Sequence, residues 1–277
     1  MDKNGKPRYN EVVFSDEQIQ EIIDLYVNHK ESSVKIGKKF GVGHKIILKV
    51  LHRNNIELMP GALRRKYTLN EHYFDVIDTQ NKAYIFGFLL ADGHNELKKM
   101  TIQMSLQEED KYILERMRDE LHSEKPLEFI DYSNKHDFGY TYKNQYRLEF
   151  YSSTMCNQLR DIGMVGAKSK DLVFPRCVSD VLLRHFVRGY FDGNGTISAN
   201  TFSIVSTKAF CEELKKRIDS TLGLQYGFLK EASNHNGITY VLSYYRKDEI
   251  KKILEWLYDN ADMLLRRKYE KYLTIWC

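Results

Sequence analysis

The sequence predicts an α+β protein made of two pseudo-symmetric αββαββα repeats and a small all-α unit at the N-terminus. Three observations predict this class. An apolar helical segment that ends in an acid or amide and a glycine occurs twice, two strand-like runs follow each copy, and the first 60 residues carry only helical patterns. We therefore expect a helical unit over 1–60, a linker over 61–75, and repeats over 76–165 and 166–277.

The composition suits a folded protein without a membrane segment. Of the 277 residues, 42% are hydrophobic, which is enough to form ordinary buried cores. The sequence lacks an apolar run of about 18 residues and an N-terminal leader pattern, so we expect neither a transmembrane helix nor a signal peptide. The four cysteines form no C-x-x-C pair, which argues against a structural zinc site and for reduced thiols.

Positive charge is concentrated at the N-terminus. The formal net charge is +4, and residues 1–70 carry 13 Lys and Arg against 8 Asp and Glu. The rest of the chain holds 29 against 30. Such an excess suits a segment that neutralises phosphates, but solvated helices are often basic too, so charge alone does not decide between the two interpretations.

Caps and apolar spacing predict three N-terminal helices. Ser15 precedes two acids and is a typical N-cap, and apolar residues follow it at helical spacing, so a first helix should end near Asn28. Ser32 and Ser33 begin a second, short helix that stops at the turn 41–43. A third helix follows, because the apolar residues at 46, 47, 50 and 51 share one face.

The second and third helices, joined across a glycine-containing turn, resemble the helix-turn-helix of resolvases, transposases and many repressors. The third helix would be the recognition helix. The alternative is a three-helix bundle that contacts protein, and the consistently basic outer face favours DNA. In the linker, Arg64, Arg65 and Lys66 are expected to lie along the DNA backbone. The residues of the helical unit expected at DNA are Lys38, Lys39, His44, Lys45, Lys49 and Arg53.

The duplicated helical segments lie at 84–93 and 185–195. Each is followed by strand-like runs and then by a helix, over 110–122 or 208–222, and more strands and a closing helix complete each repeat. Because residues four apart share a helix face, small residues at that spacing let two helices pack closely about a pseudo-two-fold axis. The small residues are Gly87 and Ala91 in the first helix and Gly189 and Gly193 in the second.

These segments resemble the LAGLIDADG family, also called DOD-type homing endonucleases, in its single-chain form with two motifs. The likeness covers roughly residues 67–277. In this family the motif helices form the interface, each contributes a carboxylate for Mg²⁺, and the sheets lie in the DNA major groove. The resemblance implies site-specific, Mg²⁺-dependent hydrolysis of double-stranded DNA, with Mn²⁺ able to substitute. It also implies a cytoplasmic monomer that associates with the nucleoid through DNA.

The two helices differ at the motif position that holds the family's metal ligand. Asp92 occupies the position of the family's metal ligand in the first helix, and Asn194 occupies it in the second. An amide offers a neutral oxygen in place of the anion that metal-dependent hydrolysis needs. Asp192 lies two residues earlier, about 200° around the helix, and would help only if the helix end unwinds. Three outcomes stay open: slowed double-strand cleavage, nicking of one strand, or binding without cleavage.

Further candidates lie near the strands. Family members often place a basic residue near the end of the last strand of each repeat, where Lys247 stands in the second repeat; a solvated residue in a first helical turn is an equal interpretation. Gln103 and Ser206 are candidates for contact with water or a phosphate, and Arg147 for contact with DNA. The alternatives to an endonuclease are a non-cleaving DNA-binding regulator and, with less support, an RNA maturase.

Overall fold

The computed structural model describes residues 12–58, 67–133, 136–137, 140–164, 171–234 and 237–277. The chain forms two compact units, Met1–Thr68 and Leu69–Cys277. Over the described residues it contains ten α-helices and two antiparallel four-stranded sheets, so the predicted α+β class is confirmed. None of these helices combines the length and apolarity that a membrane crossing requires.

The first unit consists of α1 (Asp16–Val27), α2 (Ser33–Lys39) and α3 (His44–Arg53), close to the predicted positions. Ser15 and Gln18 form a reciprocal capping box that starts α1. The turn between α2 and α3 contains Gly41 at a φ of 67°, a left-handed conformation that glycine adopts without strain. A small core of its own holds the unit together, formed by Ile22, Tyr26, Ile36, Val42, Ile46, Ile47 and Leu51.

The first repeat of the second unit follows the predicted order with one addition. Its main elements are α4 (Gln80–Asp92), β1 (His94–Glu96), β2 (Thr101–Gln107), α5 (Lys111–Glu120), β3 (Glu128–Ile130), β6 (Gln145–Tyr151) and α6 (Ser153–Asp161). Between β3 and β6 stands an added hairpin of β4 (His136–Asp137) and β5 (Tyr140–Thr141). The strand order of this sheet, sheet 1, is β1-β2-β6-β3.

The second repeat reproduces that arrangement. Its elements are α7 (Leu183–Asn194), β7 (Gly195–Ser198), β8 (Thr201–Ser206), α8 (Lys208–Leu222), β9 (Phe228–Asn234), β10 (Gly237–Tyr244) and α9 (Lys247–Tyr258), followed by α10 (Arg266–Trp276). Sheet 2 has the order β7-β8-β10-β9, which matches sheet 1 strand for strand. The predicted duplication and the pairing of α4 with α7 are therefore confirmed.

Each sheet has one face that points to the core and one that points away from it. On sheet 1, Ile102, Met104 and Leu148 point to the core, and α5 and α6 pack on that side. On sheet 2, Ile204 and Leu242 do the same beneath α8. Because side chains alternate along a strand, the residues between these positions form the opposite side, which we call the outer face. Most outer-face residues of both sheets are partly or fully exposed; Ser243, 4% exposed, is an exception.

The predicted linker over 61–75 is corrected by the structure. Residues from Leu69 onward belong to the second unit, and Tyr73 and Phe74 are buried in its core. Apolar side chains that bury this completely favour membership of the folded unit over a solvated linker. Arg64, Arg65 and Lys66 lie outside the described residues, as does the predicted boundary between the repeats at 165.

Candidate functional site at the paired helix ends

Helices α4 and α7 cross with their backbones in direct contact. A Cβ placed at Gly87 would approach the Phe186 carbonyl oxygen to well under 3.0 Å, a separation that real Cβ atoms essentially never show. The same holds for Gly189 against the carbonyl oxygen of Tyr84. The glycine spacing thus places the two backbones as close as helices can pack, and it aligns their C-terminal ends.

The helix ends bring Asp92 and the Gly193–Asn194 peptide together. Asp92 is the last residue of α4 and is exposed, and Asn194 is the last residue of α7. A Cβ at Gly193 would lie 3.1 Å from the Asp92 Cγ, so the Asp92 carboxylate rests against the backbone of α7. Strand β1 begins two residues after Asp92, and β7 begins directly after Asn194. The carboxylate therefore lies where both sheets start.

Asn194 is held by a hydrogen-bonded chain inside the second repeat. Its Nδ2 donates to the Tyr190 hydroxyl oxygen at 3.3 Å, and that hydroxyl donates to Ser206 Oγ at 2.8 Å. Burial raises the pKa of Tyr190 to about 12, so it stays a neutral donor. With Nδ2 engaged in this way, Asn194 Oδ1 is the atom left to accept from, or coordinate, a partner.

The same chain corrects the prediction for Ser206. Its hydroxyl lies on the core side of sheet 2 and accepts from Tyr190, whereas a residue in contact with phosphate would lie on the outer face. The strand register identifies Ser203 as the counterpart of Gln103, because Gln103 pairs with His94 and Ser203 pairs with Thr196. Gln103 lies on the outer face of sheet 1, within β2, and pairs with His94 at the start of β1.

Asp192 is a structural residue, and the prediction that it is a metal ligand is corrected. The residue is 1% exposed, and its Oδ2 accepts 2.8 Å hydrogen bonds from the Tyr84 hydroxyl and from the Leu265 backbone N–H. Burial raises its pKa to about 6 because the carboxylate loses its hydration. It faces the interior between α4, α7 and the segment that leads into α10, away from the exposed Asp92.

Lys268 and Arg188, which the sequence analysis missed, also hold this helix end. Lys268 Nζ donates to the carbonyl oxygens of Phe191, Asp192 and Gly195 at 2.6–2.9 Å, which caps the last turn of α7. Burial lowers the pKa of Lys268 to about 8. The fully buried Arg188 donates to the carbonyl oxygens of Leu257, near the end of α9, and of Met263, in the segment after it. Arg188 could have been identified in the sequence as a charged residue within an otherwise apolar helical segment.

The pKa of Asp192 leads to a prediction about stability. Its folded pKa of about 6 lies above the unfolded value near 3.9, so between these values the folded state holds a proton that the unfolded state has lost. The free energy of unfolding should therefore fall as pH rises through this window. Asp192→Asn removes the titration, and its stability relative to wild type should rise by up to about 3 kcal/mol from pH 4 to pH 6.

Urea unfolding at several pH values measures this difference. Asp171→Asn, which removes an exposed carboxylate from the same unit, is the matched control. If the Asp192→Asn and wild-type curves stay parallel from about pH 4 to pH 7, the burial-induced pKa shift is absent.

The strand register places Lys247 far from Asn194, which corrects the prediction for that residue. Leu242 of β10 is level with Ile204 and Gly195, and Tyr244 is level with Phe202 and Ile197. β10 therefore runs away from Asn194, and Lys247 follows three residues beyond Tyr244. At roughly 3.3 Å per residue, it lies on the order of 15 Å further along the sheet than the level of Asn194.

The other predicted residues lie on the surface. Arg147 is on the outer face of sheet 1, where its Nε donates to Ser105 Oγ at 3.2 Å and its Nη1 lies 3.8 Å from a Glu128 carboxylate oxygen. In the first unit Lys39 forms a 2.6 Å ion pair with Glu21. The remaining predicted residues of that unit are exposed on α2 and α3: Lys38, His44, Lys45, Lys49 and Arg53.

The donor set at the helix ends fits one divalent ion shared with a substrate. Asp92 supplies a carboxylate and Asn194 an amide oxygen, and no group of three His, Cys, Asp or Glu side chains suited to a metal occurs in the described part of the chain. Mg²⁺ is commonly held by one or two carboxylates together with substrate phosphates, not by a closed protein cage. The residues therefore fit such an ion only when a phosphate completes its coordination.

Comparison with known proteins gives structural likenesses only. No protein-family model matches the sequence, and no curated protein matches it. The N-terminal LAGLIDADG domain of DUF199/WhiA is similar at a TM-score of 0.44 and 16% identity, over 73% of this chain and 93% of that one. I-DmoI in complex with DNA and Mn is similar at a TM-score of 0.45 and 17% identity, over 66% and 98%. Full-length DUF199/WhiA from Thermatoga maritima gives 0.44 and 17%, over 74% and 63%.

Proposed function

We propose that this chain binds double-stranded DNA across the outer faces of its two sheets and hydrolyses a phosphodiester bond at Asp92 with Mg²⁺. The observation that carries the proposal is the position of the Asp92 carboxylate, which lies against Gly193 where both paired helices end and both sheets begin. An exposed anionic group thus stands between two polar sheet surfaces. A duplex that crosses both sheets would pass over it.

The sheets have the surface chemistry that base reading requires. Hydroxyl, amide and guanidinium groups alternate with core residues along their strands, and most outer-face side chains are partly or fully exposed. The major groove admits β-structure, and such side chains hydrogen-bond to base edges there. The pseudo-two-fold relation of the repeats matches the local two-fold symmetry of a duplex.

Asp92 supplies the charge at the proposed site, and Asn194 supplies a neutral oxygen. A divalent ion held by these two residues and a DNA phosphate would supply an activated water and would stabilise the leaving oxygen. Since only one of the two helix ends carries a carboxylate, the site is suited to one ion. We therefore expect nicked DNA to exceed linear DNA among the products.

A second candidate function is sequence-specific DNA binding without cleavage. The observation that favours it is the hydrogen bond from Asn194 to Tyr190, which leaves a neutral amide where a second anion would be needed. Binding needs the sheet surfaces and basic side chains, and it needs no metal. The two candidates differ in their dependence on Asp92.

The basic face of α3 is expected to contribute phosphate contacts. Lys45 and Lys49 are exposed on the helix that follows the turn at Gly41. A Lys45→Ala/Lys49→Ala variant should weaken binding about equally on all sequences and lower the slope of log Kd against log salt by about 2. Lys35→Ala is the matched control, because Lys35, on α2, forms an ion pair with Glu31. Equal slopes for the two variants would show that α3 does not contact phosphates.

The proposal is tested by selection followed by cleavage. The full-length protein is incubated with a library of randomised duplexes, and the recovered site is cloned into a supercoiled plasmid. Incubation with Mg²⁺ or Mn²⁺ should convert that plasmid mainly to nicked circles and leave the parent plasmid intact. Failure to enrich any sequence would refute DNA binding by the sheets. Enrichment without cleavage by either metal would favour the second candidate.

A further inference from the structure

The outer faces of the two sheets differ in chemistry, although their strand orders are the same. The difference can be read residue by residue, because the register equates Ser105 with Val205 and Arg147 with Val241. Ser105 lies two residues beyond the Gln103–His94 pair, and Val205 lies two residues beyond the equivalent Ser203–Thr196 pair. A surface that reads DNA by its side chains would therefore read the two halves of a site differently.

Sheet 1 presents long side chains with charges and amides. Its three carboxylates are each close to a basic group: Glu128 to Arg147 at 3.8 Å, Glu149 to Lys125 at 3.9 Å, and Glu96 to His94 at 3.6 Å. The outer-face residues of sheet 1 are His94, Glu96, Thr101, Gln103, Ser105, Gln107, Glu128, Ile130, Gln145, Arg147, Glu149 and Tyr151.

Sheet 2 presents short side chains that end in methyl or hydroxyl groups. The outer-face residues with a described side chain are Thr196, Ser198, Thr201, Ser203, Val205, Phe228, Lys230, Ala232, Thr239, Val241 and Ser243, of which Ser243 is buried. Lys230 is the single charged residue in this group, and the group includes no carboxylate. Val205 and Phe228 are 38% and 53% exposed, so apolar surface is available to a ligand.

We infer that sheet 2 recognises a half-site rich in A·T base pairs, through the methyl groups of thymine, while sheet 1 recognises a half-site that contains G·C pairs. The inference rests on the proposed function. Apolar side chains and threonine methyls contact the C5 methyl of thymine in the major groove, whereas arginine pairs with guanine and carboxylates accept from cytosine. The described outer face of sheet 2 has no arginine and no carboxylate, and Lys230 is its one side chain suited to guanine, whereas sheet 1 has Arg147 and three carboxylates.

Short side chains also set how closely the backbone of sheet 2 approaches the bases. Serine, threonine, alanine and valine reach only a few ångströms from the strand, so sheet 2 must lie deeper in its groove than sheet 1 for these side chains to contact the bases. The near absence of charge on its face means that few ions are desolvated on such close approach. Contacts between methyl groups are then the main contribution of sheet 2 to the sequence specificity of DNA binding.

The first test is the composition of the selected duplexes. With the full-length protein, one half of the recovered site should be enriched in A·T pairs and the other should retain G·C pairs at several positions. Enrichment of a site with equal base composition in both halves overturns the inference and leaves DNA binding intact. Failure to enrich any site overturns the proposed function instead, so the two failures are distinguishable.

The second test assigns the A·T half to sheet 2. A Val205→Ser/Val241→Arg variant copies the Ser105 and Arg147 pair onto the equivalent positions of sheet 2. It should gain a preference for guanine of roughly tenfold at one position within the A·T half. The reciprocal Ser105→Val/Arg147→Val variant should lose a guanine preference in the other half. A changed preference in the wrong half overturns the assignment; circular dichroism checks that both variants fold.

The third test isolates the methyl group. Replacing every thymine of the A·T half by deoxyuridine removes the C5 methyls and keeps all base-edge hydrogen bonds. Affinity should fall roughly fourfold for each contacted methyl, and the same exchange in the other half should have a smaller effect. Equal effects in both halves, or none in the A·T half, would show that the A·T preference does not come from methyl contacts and would overturn the inference.

Discussion

Asp92→Asn is expected to abolish cleavage of the selected plasmid while binding is retained. The substitution keeps the shape of the side chain against Gly193 and removes the only negative charge at the proposed metal site in the described residues. Loss of residues that merely support metal ligands costs 10–100-fold, so the loss of the anionic ligand should cost at least roughly a hundredfold. Nicked and linear products, resolved on agarose gels, measure the rate.

Asn194→Asp is the partner variant in this experiment. It restores a carboxylate at the second helix end, so cleavage should increase and the linear product should gain on the nicked one. Electrophoretic mobility shifts in the absence of metal check that both variants still bind. If Asp92→Asn cuts as fast as wild type, Asp92 is not the metal ligand and the proposed cleavage site is wrong.

Gly189→Ala is expected to destabilise the second unit by about 3 kcal/mol or more. The added Cβ would press on the carbonyl oxygen of Tyr84, a backbone atom that cannot rotate away. The two helices must then separate, which costs more than the usual overpacking of a core side chain. Gly87→Ala should behave alike, because its Cβ would meet the Phe186 carbonyl oxygen.

Denaturant unfolding of the full chain measures the effect, with Gly43→Ser as the control. Gly43 is the N-cap of α3, and no atom lies within 4 Å of a Cβ placed there, so serine should change stability by only a few tenths of a kcal/mol. Because Gly43 belongs to the first unit, the transition of the second unit should not move in this control. A stable Gly189→Ala protein would contradict the close helix crossing.

Part of the candidate site could be predicted because its signals are local. The positions of Gly87 and Gly189 within two apolar segments predict paired helices. The residues that end these helices, Asp92 and Asn194, differ because one is a carboxylate and the other is an amide. Helix and strand periodicity likewise predicted the αββαββα order, since each element shows its own repeat of apolar residues. The added hairpin of β4 and β5 carries no comparable periodicity.

What the sequence by itself determined is the α+β class, the duplication, the helix pairing and the imbalance between Asp92 and Asn194. The tertiary structure alone decided that Asp192 is buried beneath Leu265, that Lys268 caps α7, and that Lys247 lies at the far end of sheet 2. These facts depend on contacts between segments more than 70 residues apart or on strand register. Long-range contacts and strand register produce no periodic pattern in the sequence, because the whole fold, and not the neighbouring residues, determines which segments pack together.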